Sequence, residues 1–222
     1  MQIETATLNF LKALKKNNNK EWFDKNRNKF AAAKANHDAF VSAFIAQAVK
    51  LNKGLHGLES KHCTFRIFRD VRFSKDKSPY KNNFGAAISE GGRKSVKAGF
   101  YIHIEPGNHS FLGGGMWMPE SDVIKKVRQE IDYNITDFQK ILNKKKFKTL
   151  FGTLSSEYKL VNPPKGYDKM LPHIELLKYN SYIAGVDGLT DNDICSKDFL
   201  KKTVDTYKTI LPFLNFLNAA LD

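Results

Sequence analysis

Cysteine is scarce in this sequence of 222 residues, which contains only Cys63 and Cys195. Two cysteines so far apart, outside any C-x-x-C pair, do not provide the disulfide framework of a small secreted protein. Both side chains are therefore predicted to be reduced structural thiols rather than disulfide partners or nucleophiles.

Long apolar runs are also missing, and none approaches the length of a membrane span. The N-terminus lacks a basic start followed by an apolar segment, so we expect no signal peptide, no membrane and a cytoplasmic location. No stretch has the composition of a long linker, and the hydrophobic content of 41% is sufficient for a substantial core. The sequence predicts a single domain over residues 1–222.

Nucleotide-binding and hydrolase motifs are absent as well. Neither G-x-x-x-x-G-K-[ST] nor G-x-G-x-x-G with its following helix and acid occurs, so no cofactor is predicted. There is no G-x-S-x-G elbow for a nucleophilic serine. The run Gly113-Gly114-Gly115 weakens a strand, so we expect it to provide a bulge or a close backbone approach, or else to leave space for a ligand.

Positive charge is abundant, with a formal net charge of +13 and a pI of about 9.6. Clustered lysine and arginine are typical of nucleic-acid-binding proteins, which makes nucleic acid one candidate partner. Most of the lysines are scattered among asparagines, however, and A/T-rich coding DNA produces that composition without selection for a partner. The run Lys144–Lys146 lies inside a helical pattern and is typical of a solvated face.

The densest charge lies at residues 66–81, with six cationic side chains and two carboxylates. Apolar residues alternate with polar ones up to Phe73, which predicts a strand with one face toward the core. Arg69 would then lie on the apolar face, where it needs a carboxylate or a bound anion. A loop follows, because Pro79 cannot continue the strand.

These residues predict an anion site. Guanidinium groups bind phosphate and carboxylate groups bidentately, and lysines on a loop add movable charge. Asp70, which lies between arginines, is expected to form ion pairs instead. We expect a small molecule with a phosphate or carboxylate group to be bound by Arg66, Arg69, Arg72, Lys77, Tyr80 and Lys81.

The segment from Arg69 to Lys81 closely resembles the central motif of a family of conserved hypothetical proteins, domain of unknown function 2461. Two flanking segments agree with this family, Asn18–Phe23 upstream and Pro163–Asp168 with Pro172 and Leu177-Lys178 downstream. The resemblance spans most of the chain. It implies membership of the family and supplies no reaction or ligand.

Periodicity predicts an α+β fold in which helices near both ends of the chain pack on a central antiparallel sheet. Spacings of three and four predict helices at residues 8–14, 20–49 with a break near Arg27, 123–131, 135–142, 146–151 and 199–217. Alternating residues predict strands at 84–89, 98–105, 109–117 and 181–186. One face of this sheet would stay free for a site.

His103 and Glu105 share one strand face and are the candidates for acid–base chemistry. Two-residue spacing places them about 7 Å apart, too far for a hydrogen bond unless the side chains lean together. A two-residue turn at Gly107-Asn108 would place His103 opposite Leu112. A metal site would need a third donor, and none is predicted. The residues are compatible with an enzyme and with a protein that only binds. The alternative to a small-molecule site is a nucleic-acid-binding or protein-interaction module that uses the basic surface.

Overall fold

The computed structural model describes residues 1–221, which form ten α-helices and four β-strands. The strands are β1 (Phe84–Ile88), β2 (Gly99–Ile104), β3 (Ser110–Met116) and β4 (Tyr182–Leu189), in one antiparallel sheet of order β1-β2-β3-β4. The helices are α1 (Thr5–Lys16), α2 (Lys20–Lys25), α3 (Arg27–Ala48), α4 (Ser60–Cys63), α5 (Ser121–Tyr133), α6 (Ile135–Asn143), α7 (Lys145–Phe151), α8 (Ile174–Leu177), α9 (Asp191–Cys195) and α10 (Phe199–Ala219). The predicted α+β class is confirmed.

The chain divides into two compact units whose segments alternate along the sequence. The first unit contains residues 1–93, 101–112 and 187–205, and the second contains residues 94–100, 113–186 and the chain from Thr206 onward. Strands β2, β3 and β4 therefore each contribute residues to both units. The single domain over residues 1–222 stays a prediction.

The first unit has a core of apolar helix faces. In α1 the spacing of Leu8, Leu11 and Leu14 places all three on one face, and all three are buried. On the neighbouring α3, Phe40 is fully buried and its ring stacks on that of Phe199, with 4.9 Å between the centroids. Burial of these side chains stabilises the helices, because most helical stability in proteins comes from the packing of an apolar face.

The predicted break near Arg27 is confirmed, since α2 ends at Lys25 and α3 begins at Arg27. The side-chain oxygen of Asn19 accepts the backbone N–H of Trp22 at 2.9 Å and so caps the start of α2. This cap orients α2 so that Phe23 is buried.

The register of β2 and β3 differs by one residue from the prediction. Leu112 is buried, like Ile102 and Ile104 on the inner face, whereas Phe111 stacks on His103 with 4.6 Å between the ring centroids. His103 is therefore opposite Phe111, and the predicted pairing with Leu112 is wrong. A loop longer than the predicted two-residue turn joins the strands, because β2 ends at Ile104 and β3 begins at Ser110.

The outer face of β2 is also less open than the sequence suggested. His103 keeps only 13% of its side chain exposed, and the Tyr101 ring lies 6.2 Å from that of Phe65 and 5.6 Å from that of Phe111. Aromatic side chains therefore cover this part of the sheet face.

In the second unit the glycine run allows strands to approach closely. A Cβ on Gly113 would lie 2.7 Å from the Ala184 carbonyl oxygen, and one on Gly115 would lie 1.8 Å from that of Tyr182. Gly115 also has a φ of +139°, which side chains rarely allow. A close backbone approach, which the sequence predicts as an alternative to a bulge, is confirmed, and β4 fills the space beside the run.

No strand forms over residues 65–73, contrary to the sequence prediction. Ile67 is buried as the alternation requires, but Phe73 is 96% exposed. The Asp70 carboxylate accepts the backbone N–H of Arg72 at 3.3 Å, a local turn that competes with sheet hydrogen bonds. The segment is therefore an extended arm that becomes a loop earlier than predicted.

Aromatic side chains dominate the core of the second unit. The Phe138 ring packs against those of Tyr182 and Phe213, both at 6.2 Å between centroids. Pro212 lies inside α10, where the prediction placed a kink or an interruption. Among residues 1–221, no helix is long and apolar enough to cross a membrane.

Candidate functional site: a cationic cleft beside the basic loop

The basic loop, residues 66–81, projects from the first unit on two extended arms. Phe68 and Tyr80 form an antiparallel bridge between the arms. The backbone N–H of Lys81 donates to the Ile67 carbonyl at 2.7 Å. These contacts fix the base of the loop while its tip extends into solvent.

Tyr80 anchors the returning arm. Its ring stacks on the buried Phe23 ring, with 4.0 Å between centroids and 12° between planes. The Asn18 side chain accepts the Tyr80 backbone N–H at 3.1 Å and donates to its carbonyl at 2.9 Å. The segment Asn18–Phe23 thus holds the basic loop in place, which connects two of the segments that resemble the family motifs.

Arg69 organises the interior of the loop. Its guanidinium forms an ion pair with Asp76 and donates to the Ser78 carbonyl at 3.2 Å and to the Ser74 hydroxyl at 3.3 Å. Hydrogen bonds from Ser78, and then from Arg69, lower the pKa of Asp76 to about 2. Asp76 is therefore ionised at neutral pH, and Arg69 has the carboxylate that the sequence required.

A cleft of about 460 Å³ opens beside the loop. Three cations line it, against one carboxylate from Asp76, and asparagine amides supply neutral hydrogen-bonding groups. The lining residues are Lys15, Asn18, Arg69, Asp76, Ser78, Tyr80, Lys81, Asn82 and Asn83.

Lys81 is the cation of the cleft that lacks a counter-ion. Its side chain is half-buried, and its Nζ lies 5.3 Å from the centre of the Phe65 ring. Burial lowers the pKa of the Lys81 ammonium, and the Arg66 guanidinium lowers it further. Within residues 1–221 no carboxylate pairs with Lys81, so its charge is compensated only weakly.

Three of the six predicted binding residues line the cleft, namely Arg69, Tyr80 and Lys81. The other three, Arg66, Arg72 and Lys77, are exposed and are not among its lining residues.

Two of these exposed cations have partners on the loop. Arg72 pairs with Asp70 at 2.7 Å, which confirms the expected ion pair of that aspartate. Lys77 donates to the Val71 carbonyl at 3.1 Å. Arg72 and Lys77 are therefore engaged on the loop itself and not at the cleft.

Sequence reasoning missed Lys15 and the asparagines of the cleft. Lys15 lies on α1, far from the loop in sequence, and nothing in its surroundings distinguishes it from other helix-surface lysines. Asn82 and Asn83 could have been found, because they follow the basic loop directly. Asn18 belongs to a segment that resembles the family motif, but no chemical property of that segment predicts a binding role for Asn18.

Glu105 connects this cleft to His103. One carboxylate oxygen of Glu105 accepts the Asn82 side-chain N–H at 2.8 Å and lies 3.7 Å from the Lys15 ammonium. The other lies 3.1 Å from His103 Nε2. Burial lowers the pKa of His103, and the Glu105 carboxylate opposes this shift. Two residues of the cleft wall are thus bonded to the carboxylate that holds the imidazole.

The Cys63 thiol is poorly suited to act as a nucleophile. Burial raises the pKa of the Cys63 thiol to about 11, which keeps it protonated. Across the described chain, residues 1–221, no group of three or more histidine, cysteine, aspartate or glutamate side chains is arranged to hold a metal ion.

Comparison with known proteins gives one match. Residues 6–216 match the model of a family described as conserved hypothetical protein (DUF2461). No curated protein and no solved structure matches the chain.

Proposed function

The chain belongs to the DUF2461 family of conserved hypothetical proteins, a description without a reaction, and from the cleft itself we propose that it binds a small molecule bearing a phosphate or carboxylate group. The observation that carries this proposal is Lys81. A half-buried ammonium without a carboxylate partner is costly to desolvate, and a bound anion offsets that cost.

The other groups of the cleft suit the same ligand. The planar guanidinium group of Arg69 lies at the wall of the cleft, where the ion pair with Asp76 holds it in place. Lys15 adds a more exposed charge, and the amides of Asn82 and Asn83 provide donors and acceptors for the rest of the ligand. The volume of about 460 Å³ lies within the range of small-molecule sites.

A thermal-shift screen with phosphorylated and carboxylated metabolites tests this proposal. A ligand at a hundred times its Kd raises Tm by roughly 5 to 10 °C. We expect the shift to disappear in Lys81→Met and to persist in Lys77→Met, which removes the same charge from the same loop outside the cleft. A ligand whose shift is equal in both variants would contradict the proposal.

Single-stranded nucleic acid is the second candidate ligand, and Phe73 favours it. This ring is 96% exposed at the tip of the basic loop, with the Arg72 guanidinium 5.9 Å from its centre. An exposed aromatic ring between cations is the arrangement on which bases stack in single-strand-binding proteins.

Salt dependence separates the two candidates. Binding of an oligonucleotide should weaken steeply as salt rises, and removal of one contacting lysine should lower the slope by about one. Phe73→Ala should then weaken oligonucleotide binding and leave the thermal shift by a small anion unchanged. Oligonucleotide binding that is lost on neutralising Lys144–Lys146, and not on changing Phe73, would place nucleic acid elsewhere on the basic surface.

A further inference from the structure

Helix α5 of the second unit carries Arg128 and Asp132 on neighbouring turns of one face. Arg128 is only 9% exposed. Its Nε donates to the Leu177 carbonyl at 2.8 Å, and its Nη2 donates to the Tyr179 carbonyl at 3.0 Å and to the Asn180 side-chain oxygen at 2.8 Å. All three acceptors are neutral.

Neutral groups therefore hold the Arg128 guanidinium, and the Asp132 carboxylate one turn along α5 is engaged by His173. The side chain makes no ion pair with a carboxylate in the described part of the chain. Its other close polar neighbour, the Tyr182 hydroxyl, is also neutral, because burial raises the pKa of that phenol. A buried cation of this kind is stabilised when an anion completes its environment. Guanidinium is also the side chain best suited to hold a carboxylate or phosphate group.

The His173 imidazole lies against the same face of α5 and is oriented by Asp132. His173 Nε2 is 2.7 Å from Asp132 Oδ1, and 13% of the His173 side chain is exposed. Because the carboxylate accepts, Nε2 of the neutral ring carries the hydrogen, and Nδ1 is left with its lone pair. A ligand hydroxyl can donate to Nδ1.

Tyr167 adds a phenol from the segment Pro163–Asp168. Its side chain is half-buried. Burial raises the pKa of the Tyr167 hydroxyl, the Asp132 carboxylate raises it further, and the Arg128 guanidinium lowers it. Tyr167 thus lies within electrostatic reach of both Arg128 and Asp132, and its hydroxyl stays protonated at neutral pH.

We propose that Arg128, Tyr167 and His173 form a second anion-binding site, separate from the cleft of the first unit. Arg128 supplies the counter-charge, the Tyr167 hydroxyl donates, and His173 Nδ1 accepts. This set suits an anion that also carries a hydroxyl, such as a hydroxy acid or a singly protonated phosphate group. It gives a function to a segment that resembles the family motif and lies outside the cleft.

The test uses inorganic phosphate and the side-chain NMR signals of the six histidines. We expect the His173 signals to move saturably on addition of phosphate. Tyr167→Phe should weaken this binding, and Arg128→Met should weaken it at least about tenfold, the order of a charge-assisted hydrogen bond. Lys165→Met, which removes a nearby exposed charge, should leave the affinity unchanged.

Other outcomes overturn the proposal. If Arg128 only fixes the carbonyls of Leu177 and Tyr179, Arg128→Met unfolds more easily and phosphate never moves the His173 signals of the wild-type protein. If Arg128→Met does not fold, Arg128→Lys and Tyr167→Phe carry the test, and unchanged affinity in both rejects the site. Lys81→Met should not alter the His173 response, so failure here is distinct from failure at the cleft.

Discussion

His103 Nε2 lies 3.1 Å from Glu105 Oε2, although His103 is in β2 and Glu105 lies two residues further along the chain, just after the strand ends. The contact forms because both side chains lean toward each other on the outer face of the sheet. Glu105 in turn bonds to Asn82, which lines the cleft. His103 is largely buried and is not among the lining residues, so direct proton transfer from His103 to a ligand is not supported. The pair is better placed to position the cleft wall.

The first prediction concerns this pair. Glu105→Gln should lower the pKa of His103, because the carboxylate is what opposes the effect of burial. The measurement is an NMR titration of the His103 ring. Glu120→Gln, a change at an exposed carboxylate of the second unit, should leave the His103 pKa unchanged, and an equal pKa in wild type and Glu105→Gln would rule out the coupling.

The second prediction concerns the anchor of the basic loop. Phe23 is 1% exposed and stacks on Tyr80, so Phe23→Ala should reduce the free energy of unfolding by about 3 to 5 kcal/mol. Phe73→Ala removes the same ring from a fully exposed position and should change it by less than about 0.5 kcal/mol. Urea unfolding measures both, and a large cost at Phe73 would show that the tip packs against something in solution.

The sequence predicted those parts of the fold in which one periodicity dominates. In strand β2, Phe100, Ile102 and Ile104 all point inward, and the predicted bounds 98–105 differ from the observed bounds by one residue at each end. The segment before Phe73 has the same alternation, but the strand predicted there does not form. Asp70 instead forms a local turn with the backbone that follows it. Alternation alone does not weigh side-chain to backbone hydrogen bonds against strand pairing.

The residues of the candidate site likewise fall into those that the sequence predicts and those that it does not. The loop residues Arg69, Tyr80 and Lys81 could be predicted because their charge and loop chemistry are contiguous in sequence. Lys15 could not, because only the packing of α1 brings it to the cleft. The Glu105 link to Asn82 likewise depends on a contact between residues 23 positions apart, and no local pattern encodes it.

The third prediction tests whether the glycine run serves packing. Gly115→Ala should destabilise the protein by about 3 kcal/mol or more, since its Cβ would overlap the Tyr182 carbonyl at an unfavourable φ. Gly166→Ala has a positive φ but open space around it, and its cost should be only about 1 to 2 kcal/mol. If thermal or urea unfolding shows equal costs, the clash at Gly115 is relieved by movement of β4.

The fourth prediction concerns acid sensitivity. Burial lowers the pKa of His37 from its ordinary value of 6.5, and its Nε2 is enclosed without a hydrogen-bond partner. The unfolded chain therefore binds a proton more readily than the folded one, so stability is retained above pH 6.5 and is lost as the pH falls through that value toward the folded pKa.

His103 acts in the same direction, so His37→Phe should reduce this loss without abolishing it. The slope of unfolding free energy against pH should decrease by up to about 1.4 kcal/mol per pH unit. Exposed carboxylates such as Asp76 lose their contribution only below their ordinary pKa of 3.8, which separates the two pH windows. An unchanged slope in His37→Phe would mean that His37 is protonated at no cost.

The fifth prediction is a gain of affinity. Asp76 neutralises Arg69 at the wall of the cleft, and its Oδ1 also accepts the Ser78 backbone N–H at 2.9 Å. Asp76→Asn keeps an oxygen for that bond and removes the competing negative charge, so inorganic phosphate should bind severalfold more tightly. The backbone amide signals of Asn82 and Asn83 report on the cleft, which separates this response from binding near Arg128.

Asp70→Asn is the control, because it removes a carboxylate that pairs with Arg72 outside the cleft, and it should leave the affinity for phosphate unchanged. A weaker response in Asp76→Asn would show that Asp76 is needed to hold Arg69 in place, whereas equal tightening in both variants would reduce the effect to net charge and contradict a specific anion site.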